Sequence, residues 1–398
     1  MARTDHAHHD TRRLAERPLS ARRRAGVLAA ASAALLAGAA ATAPTASAIS
    51  YGSDAPARAA PWMATLAFSN DKPLTERGYC GGTLIAPDRV LTAGHCVMGK
   101  APADFQVYLG ADKLSRPHGP AHHVRGWFWH PKWREVDTKD GSFAANDMAV
   151  VVLDHPVRDV RPIPIADAAE VADTVARKGT GTLYGHGATE RTDPEKGGVT
   201  DRLQQGAMKL LPPEQCASDI PKNSVGEADF CTTGVPSGSD AAAPSVCPGD
   251  SGGPLMVSTP AGREVAGVLS AQSGDGCDGS VHQGQFMNPG PWRREALRPN
   301  PELAPTGELR VTGTPAAGHR LDAAVDGLAP KSAEVRYAWY EEKADDDGFK
   351  YNVPIDGATS ASLTVSKDLV GKRLLCIATL TNPAGKVRLQ QSVGAHAS

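Results

Sequence analysis

The sequence predicts an all-β protein of two or three domains. Much of the chain beyond residue 60 reads as short runs with the alternating apolar and polar pattern of strands, separated by turn residues. A length of 398 residues allows two to three domains of about 150 residues each. Between two such runs lies a glycine-dense turn, Cys247-Pro248-Gly249-Asp250-Ser251-Gly252-Gly253-Pro254-Leu255. Glycines allow positive φ and close approach of the backbone, so this turn is where we expect the chemistry.

Residues 1–48 have the pattern of a secretory leader. Arginines crowd the first 24 residues, residues 25–48 carry no charge and are rich in Ala and Leu, and the run ends in Ala46-Ser47-Ala48. A single membrane-spanning helix is the alternative, because about 20 apolar residues span a bilayer. Pro44 and the weakly hydrophobic end of the run favour cleavage. We therefore expect a secreted protein with no membrane contact once the leader is removed.

Charge and cysteine usage exclude other classes of protein. The net charge is −2, and the arginine-rich leader leaves the rest of the chain mildly acidic. No basic stripe with interleaved aromatic residues occurs, which argues against nucleic acid as a partner. The seven cysteines include no Cys-x-x-Cys pair, so disulfides in an oxidising compartment are favoured over a cytosolic metal site.

Four histidines fall in or near one predicted strand, at His118, His122, His123 and His130. They come without a cysteine or acidic cluster at the spacing of metal ligands. A surface strand is therefore the preferred interpretation, and we expect neither a metal nor another cofactor.

Three motifs together carry a family resemblance. Gly249-Asp250-Ser251-Gly252-Gly253-Pro254-Leu255 follows Thr92-Ala93-Gly94-His95-Cys96 and Asn146-Asp147-Met148-Ala149, in the order His, Asp, Ser. Over residues 49 to about 298 the chain resembles the chymotrypsin-like serine endopeptidases. The resemblance implies two antiparallel β-barrels of the chymotrypsin-like type and hydrolysis of polypeptides.

The same resemblance assigns catalytic roles. His95 is the expected general base, Asp147 the carboxylate that orients it, and Ser251 the nucleophile. The backbone N–H groups of Gly249 and Ser251 are the expected oxyanion hole. Asp147 directly precedes an apolar run, which is how a buried strand begins, and the alternative for that residue is a turn or helix-cap aspartate. For the whole protein, the alternative is a catalytically silent binding protein that keeps the protease fold and is targeted by its C-terminal module.

Strand-like runs frame these motifs. The predicted strands cover residues 62–68, 79–85, 90–96, 105–110, 122–130, 178–187 and 203–211, and the second half of the domain begins near residue 166. The resemblance implies three disulfides, Cys80–Cys96, Cys216–Cys231 and Cys247–Cys277. A bridge that closes a loop of about 15 residues contributes roughly 3 kcal/mol in the chain-entropy account.

Removal of the leader after Ala48 gives a new N-terminus at Ile49. In the related proteases a freed apolar N-terminus folds inward and pairs with the Asp before the nucleophile, here Asp250. The sequence departs from the family at Ser50 and Tyr51, where Val and Gly are usual. The alternative is that Ile49 is only the first residue of an ordinary strand.

The resemblance also marks the substrate pocket. Ser245 is expected at its floor, and Ser270, Ala271 and Gln272 along its wall, with Ser270 also supporting Asp147. A neutral hydroxyl at the floor disfavours cleavage after Arg or Lys, so we expect apolar residues before the scissile bond. Asp275 or Asp278 could restore a basic preference.

The remaining chain predicts a second kind of domain. A short helix at 292–297 closes the protease domain (49–298), residues 299–307 form a proline-rich linker, and residues 308–398 show short strands. The Trp339 region and the turn at residues 355–359 resemble immunoglobulin-like β-sandwich modules. Cys376 is expected as a buried free thiol. We expect a monomer whose module binds a surface or polymer ligand, or acts as a spacer.

Overall fold

The computed structural model describes residues 49–56, 58–136, 143–188, 199–239, 242–274, 282–298, 308–326, 334–344, 350–382 and 385–394. These residues all belong to a single compact unit of the chain. The predicted leader (1–48) and linker (299–307) lie outside the described residues, as do Asp275, Cys277 and Asp278.

The N-terminal part of the described chain forms a closed, antiparallel six-stranded barrel. The strands pair in the order β6-β5-β2-β3-β4-β9, and β6 pairs again with β9 to close the barrel. Its strands are β2 (Met63–Phe68), β3 (Gly78–Ala86), β4 (Arg89–Thr92), β5 (Phe105–Leu109), β6 (His122–Trp129) and β9 (Ala149–Leu153). Strand β9, Ala-Val-Val-Val-Leu, is buried along its whole length, as its continuous apolar sequence predicts.

The second half forms another closed antiparallel barrel of six strands. Its order is β11-β10-β13-β14-β15-β12, and β11 pairs with β12 to close it. Its strands are β10 (Thr180–Gly185), β11 (Gln204–Leu211), β12 (Phe230–Gly234), β13 (Pro254–Thr259), β14 (Gly262–Gln272) and β15 (Gly284–Met287). In β11 every second residue is buried, because alternate side chains point into the barrel.

Short elements connect and extend the barrels. They are β1 (Ser53–Asp54), which pairs with β11, the hairpin of β7 (Arg134–Val136) and β8 (Phe143–Ala145), and helices α1 (Leu74–Arg77), α2 (Ala168–Ala176) and α3 (Arg293–Leu297). Asp167 caps α2 by accepting from the N–H of Ala169, while Glu170 accepts from the N–H of Asp167. Among the described residues, no helix has the length and apolar character needed to cross a bilayer.

The C-terminal region forms two antiparallel sheets that share one hydrophobic core. One sheet has the order β16-β17-β20, and the other strands run β19-β18-β21-β22. The strands are β16 (Glu308–Gly313), β17 (Arg320–Asp326), β18 (Glu334–Ala344), β19 (Lys350–Pro354), β20 (Ser362–Thr364), β21 (Arg373–Asn382) and β22 (Gly385–Gly394). Trp339 lies in this core, and Val335 and Tyr337 pack against it. Cys376 is buried there as a free thiol.

Strand β22 also reaches the first barrel. Lys386 of β22 pairs with Trp129 at the end of β6. The C-terminal sheet is thereby continuous with the first barrel's sheet through this pair.

One predicted strand is wrong at its end. The run 90–96 was expected to be extended throughout, but β4 ends at Thr92 and His95–Val97 form one turn of 3₁₀-helix. Gly94 has helical dihedral angles, φ −65° and ψ −37°, so the chain turns before His95. The other predicted strands of the two barrels agree with the structure to within two residues at each end.

Candidate active site

His95 stands at the turn that follows β4. The Cys80–Cys96 disulfide ties this turn to β3. The side chain of His95 remains 32% exposed, so one edge of the imidazole faces solvent. The Nδ1 atom lies 2.6 Å from Oδ2 of Asp147, and the backbone N–H of His95 donates to Oδ1 of the same carboxylate at 2.8 Å. The ring and its own backbone are therefore fixed by one acceptor.

Asp147 is fully buried directly before β9. The preceding Asn146 has a positive φ of 52°, which is uncommon for a residue other than glycine. This backbone conformation lies at the point where the chain presents Asp147 to His95. The hypothesis of a helix cap does not fit, since the carboxylate bonds to groups remote in sequence.

A β-bulge places Ser270 against the same carboxylate. In the pairing of β14 with β15, Leu269 faces Phe286 and Ala271 faces Gln285, so the register shifts at Ser270. A bulge re-aims a side chain relative to the regular alternation. Ser270 Oγ donates to Oδ2 of Asp147 at 2.7 Å.

Ser251 lies on the glycine-dense turn between the barrels. Its carbonyl oxygen accepts from the N–H of Gly81 in β3 at 2.7 Å, a hydrogen bond from one barrel to the other. Gly252 needs its positive φ of 77°, and a Cβ there would lie 2.3 Å from Thr92 Oγ1. Cys96 Sγ lies 3.8 Å from the carbonyl oxygen of Ser251 and 3.7 Å from Nε2 of His95. The turn thus brings Ser251 to the neighbourhood of His95.

Along residues 249–252 of this turn, backbone N–H groups that donate a hydrogen bond to the protein alternate with N–H groups that are open. Asp250 N–H donates to Cys247, and Gly252 N–H donates to Leu269. Within the described part of the chain, the N–H groups of Gly249 and Ser251 donate to no protein acceptor. Gly249 has a φ of 93°, which glycine adopts readily. Two open donors on either side of Asp250 can bind a negatively charged oxygen.

The electrostatics of the His95–Asp147 pair favour the charged carboxylate. Burial opposes protonation of His95, but the charge and hydrogen bond of Asp147 outweigh it and raise the pKa of the imidazole. Burial likewise opposes ionisation of Asp147, yet the charge and hydrogen bonds of His95 and the bond from Ser270 hold its pKa below the usual range. The imidazole is therefore tuned to accept a proton.

Asp250 is a second fully buried carboxylate, below the turn. The N–H groups of Gly187 and Cys247 donate to it at 2.8 and 3.0 Å. Burial raises its pKa to about 8 despite these two bonds. Ile49 is also fully buried, and Ser50 forms a bridge with Ser245.

The predicted pocket residues lie on neighbouring segments of the second barrel. Ser245 is buried, and its Oγ accepts from the N–H of His282 at 3.3 Å. Ala271 and Gln272 are half-buried at the end of β14. Cys216 and Cys231 form the expected disulfide. The predicted Cys247–Cys277 bridge includes a residue outside the described part of the chain.

In the described ranges, one group has the composition of a metal site, namely Cys80, His95 and Cys96. The two sulfurs are bonded to each other, so they are not available as thiolate ligands. The predicted surface histidines form no such cluster in the part of the chain that the structure describes.

Sequence reasoning missed Trp133. Its indole Nε1–H donates to Oδ1 of Asp147 at 3.1 Å, and the side chain is 1% exposed. The only signal in the sequence was a tryptophan soon after a strand rich in aromatic residues. Nothing local in the sequence pairs it with an aspartate 14 positions away.

Comparison with known proteins agrees with this arrangement. The family profile of trypsin matches residues 49–287. The chain belongs to the trypsin family. It is 34% identical to a trypsin of Saccharopolyspora erythraea over 206 residues, 50% of this chain and 77% of that protein. It is 29% identical to human chymotrypsin-like elastase family member 3A over 239 residues, 57% of this chain and 80% of the relative. It is also 30% identical to bovine chymotrypsin-C over 232 residues, 57% of this chain and 79% of the relative.

Membership of the trypsin family makes the protein a serine peptidase in class, and the two six-stranded barrels are the fold of that family. The matched residues, 49–287, include the turn of His95, the carboxylate of Asp147 and the turn of Ser251. The C-terminal strands β16 to β22 lie beyond the matched region.

Proposed function

We propose that the protein is a secreted serine endopeptidase in which His95, Asp147 and Ser251 form the catalytic triad. The observation that carries the proposal is the buried carboxylate of Asp147, 2.6 Å from Nδ1 of an imidazole that stands beside the Ser251 turn. A serine hydroxyl is a weak nucleophile at neutral pH, so the reaction needs a base at this place.

The proposed reaction proceeds in two stages. His95 Nε2 takes the hydroxyl proton of Ser251 while Oγ attacks the carbonyl carbon of the scissile bond. The N–H groups of Gly249 and Ser251 stabilise the oxyanion of the tetrahedral intermediate. His95 then gives its proton to the leaving amine, and water hydrolyses the acyl-enzyme by the same steps in reverse.

Two environments support this division of roles. Asp147 accepts hydrogen bonds on both oxygens and stays ionised, so it stabilises the imidazolium that forms. The open N–H groups of Gly249 and Ser251 flank Asp250, whose own N–H is hydrogen-bonded, and such donors can stabilise charge that develops on the substrate.

Substrate preference is proposed from the pocket floor. Ser245 is buried, neutral and already hydrogen-bonded to His282, which offers no charge to a basic side chain. We therefore assign a preference for apolar residues before the scissile bond. Digestion of a peptide library by the active protein, with cleavage sites read by mass spectrometry, tests this, and dominant cleavage after Arg or Lys would overturn it.

Secretion and the terminal module complete the proposal. The leader pattern of residues 1–48 and the disulfides Cys80–Cys96 and Cys216–Cys231 support an extracellular enzyme. The protease domain is assigned to residues 49–298 and an immunoglobulin-like β-sandwich to residues 308–398. The two sheets around Trp339 support that module, and a surface or polymer ligand is its proposed role.

Phenylmethanesulfonyl fluoride tests the central assignment. The reagent should modify Ser251 of the full, processed chain, and Ser251→Ala should abolish the modification. Asp147→Asn should slow it by about 10⁴-fold, the size of effect that the same change has on turnover in trypsin-like proteases. Failure of a folded, processed protein to react would instead support a silent binding protein with a protease fold.

A further inference from the structure

Strand β22 of the C-terminal region contacts Trp133, the tryptophan that donates a hydrogen bond to Asp147. Lys386 Nζ donates to the carbonyl oxygen of Trp133 at 2.7 Å, across 253 positions of sequence. The guanidinium of Arg388 lies over two indole rings, 4.9 Å from the centroid of Trp133 and 5.8 Å from that of Trp129. Cations over indole faces attract the ring electrons.

The two indoles are stacked on each other and face the catalytic residues. Their centroids are 5.0 Å apart with an angle of 19° between the rings. Trp133 donates to Asp147 Oδ1 at 3.1 Å, and Trp129 donates to the carbonyl oxygen of Gly94, next to His95, at 2.7 Å. Both rings are at most 2% exposed. The pair therefore connects β22 on one side with the carboxylate and the histidine turn on the other.

Packing leaves little freedom in this arrangement. A Cβ at Gly94 would lie 2.5 Å from Trp133 Nε1, so the indole fills the space beside the His95 turn. Glu135 lies 3.5 Å from Arg388 and partly balances its charge. Arg388 is 34% exposed, whereas the rings beneath it are closed to solvent.

We propose that Trp133 is a positioning residue for Asp147 and that Lys386 and Arg388 of the C-terminal module hold it there. The module thus takes part in catalysis by orienting the triad. This rests on the proposed function for the meaning of the triad, but its structural content is the geometry around Asp147. Trp133 acts through Asp147, and Lys386 and Arg388 act through Trp133.

The hydrogen bond from Trp133 to Asp147 determines in which direction its loss shifts the pKa of His95. The indole N–H stabilises the negative charge on Asp147, which lessens the pull of the carboxylate on the imidazolium. Removing the N–H therefore raises the pKa of His95 further. Because a protonated imidazole cannot act as base, the acidic limb of the reaction moves to higher pH. Among the described residues, the other charged group that acts on the imidazole is Lys100, which opposes its protonation and is unchanged in the variants below.

The test is a double-mutant cycle on the full processed chain. Its variants are Trp133→Phe, the pair Lys386→Gln with Arg388→Gln, and all three together. NMR titration of the His95 ring gives the pKa without any reaction, and modification by phenylmethanesulfonyl fluoride gives the rate against pH. Arg373→Gln is the matched control, since Arg373 is an exposed cation on neighbouring β21 that pairs with Glu342.

We expect Trp133→Phe to raise the pKa of His95 and to slow modification about tenfold, the value of one hydrogen bond to a charged group. The double variant Lys386→Gln/Arg388→Gln should also raise the pKa of His95 and slow modification, but by less than Trp133→Phe does. Added to Trp133→Phe, it should change neither quantity further. Arg373→Gln should change neither quantity.

Independent effects of the two changes, or an unmoved His95 pKa with only a lower melting temperature, would overturn the proposal. If Trp133→Phe does not fold, an unmoved pKa in the Lys386/Arg388 pair overturns it by itself. Failure of the proposed function looks different: the wild-type chain then titrates at His95 as described but does not react at Ser251.

Discussion

The two buried aspartates of the site show how hydrogen-bond donors decide the state of a carboxyl group. Among the described residues, Asp147 accepts from the backbone and ring of His95, from Ser270 and from Trp133. Asp250 accepts from two backbone N–H groups. The pKa of Asp147 is lowered and that of Asp250 is raised to about 8, although both are fully buried. Burial opposes ionisation in both cases, so the number and charge of the partners determine whether the pKa is lowered or raised.

Gly94→Ala tests the packing of the site at the residue scale. The added Cβ would meet Trp133 at 2.5 Å from Nε1 and 2.6 Å from Cδ1. The indole must move away from Asp147, so we expect a loss of about 1–3 kcal/mol of stability and slower modification of Ser251. Thermal unfolding and the rate of modification measure these two effects.

The control for this substitution is Gly119→Ala, where a Cβ would meet nothing within 4 Å. The expected result there is unchanged stability and rate. Equal behaviour of the two variants would mean that Trp133 has free space to move.

At the element scale, irregular features of otherwise regular strands place the site. The bulge in β14 turns Ser270 toward Asp147, and the early end of β4 presents His95 on a 3₁₀ turn. The regular strands make the barrels rigid, and the bulge and the 3₁₀ turn set the directions in which the side chains of Ser270 and His95 point.

Removing each disulfide in turn distinguishes an effect on stability from an effect on the reaction at Ser251. Cys80–Cys96 and Cys216–Cys231 span 16 and 15 positions, so each contributes about 3 kcal/mol in the chain-entropy account. Replacing either pair by Ala should lower the free energy of unfolding by a similar amount. Only the Cys80/Cys96 variant should also slow modification of Ser251, because Cys96 follows His95.

Denaturant unfolding and reaction rates at a temperature where both variants stay folded measure this. The Cys216/Cys231 variant is the matched control. An equal slowing in both variants would show that the rate follows general stability.

At the scale of the whole molecule, the site exists only where the two barrels meet. His95 and Asp147 belong to the first barrel, Ser251 and Ser270 to the second, and Gly81 N–H bonds to the Ser251 carbonyl between them. Ile49 lies in the core of the second barrel, although it comes before the first in the chain. The order of the chain and the order in space therefore differ at Ile49.

The N-terminus should control the pH dependence of stability. We expect the ammonium of a freed Ile49 to pair with Asp250, whereas a chain extended before Ile49 would leave that carboxyl without this cation. In the extended form the folded pKa of Asp250, about 8, lies above its ordinary value of 3.8. The folded state then holds the proton more tightly than the unfolded state, so its stability falls as pH rises from about 4 to about 8.

Melting temperatures of the mature and extended forms between about pH 5 and pH 8 measure this difference. Asp250→Asn in the extended form should remove the decline. The same decline in both forms, or a secreted protein that begins well downstream of Ile49, would contradict the pairing.

The sequence was informative where the determinants are local. The glycine turn around Ser251, the apolar run after Asp147 and the alternation in β11 predict their own structures, because backbone freedom and burial act over a few residues. The position of Trp133 could not be predicted, since it depends on contacts with Asp147 and with Lys386, 253 positions away. The end of β4 was missed for a related reason, because the space beside Gly94 is filled by the indole of Trp133, which comes from another segment.

The reactivity of the Cys376 thiol can be used to measure unfolding of the C-terminal region. Its thiol sits in the core beside Trp339, and burial raises its pKa to about 12. A sulfur that stays protonated reacts slowly with alkylating or disulfide reagents, so the paired cysteines elsewhere are protected from exchange with it. Once the two sheets separate, the thiol is exposed to solvent and its pKa returns to the ordinary value. Its rate of alkylation therefore reports how often the sheets open.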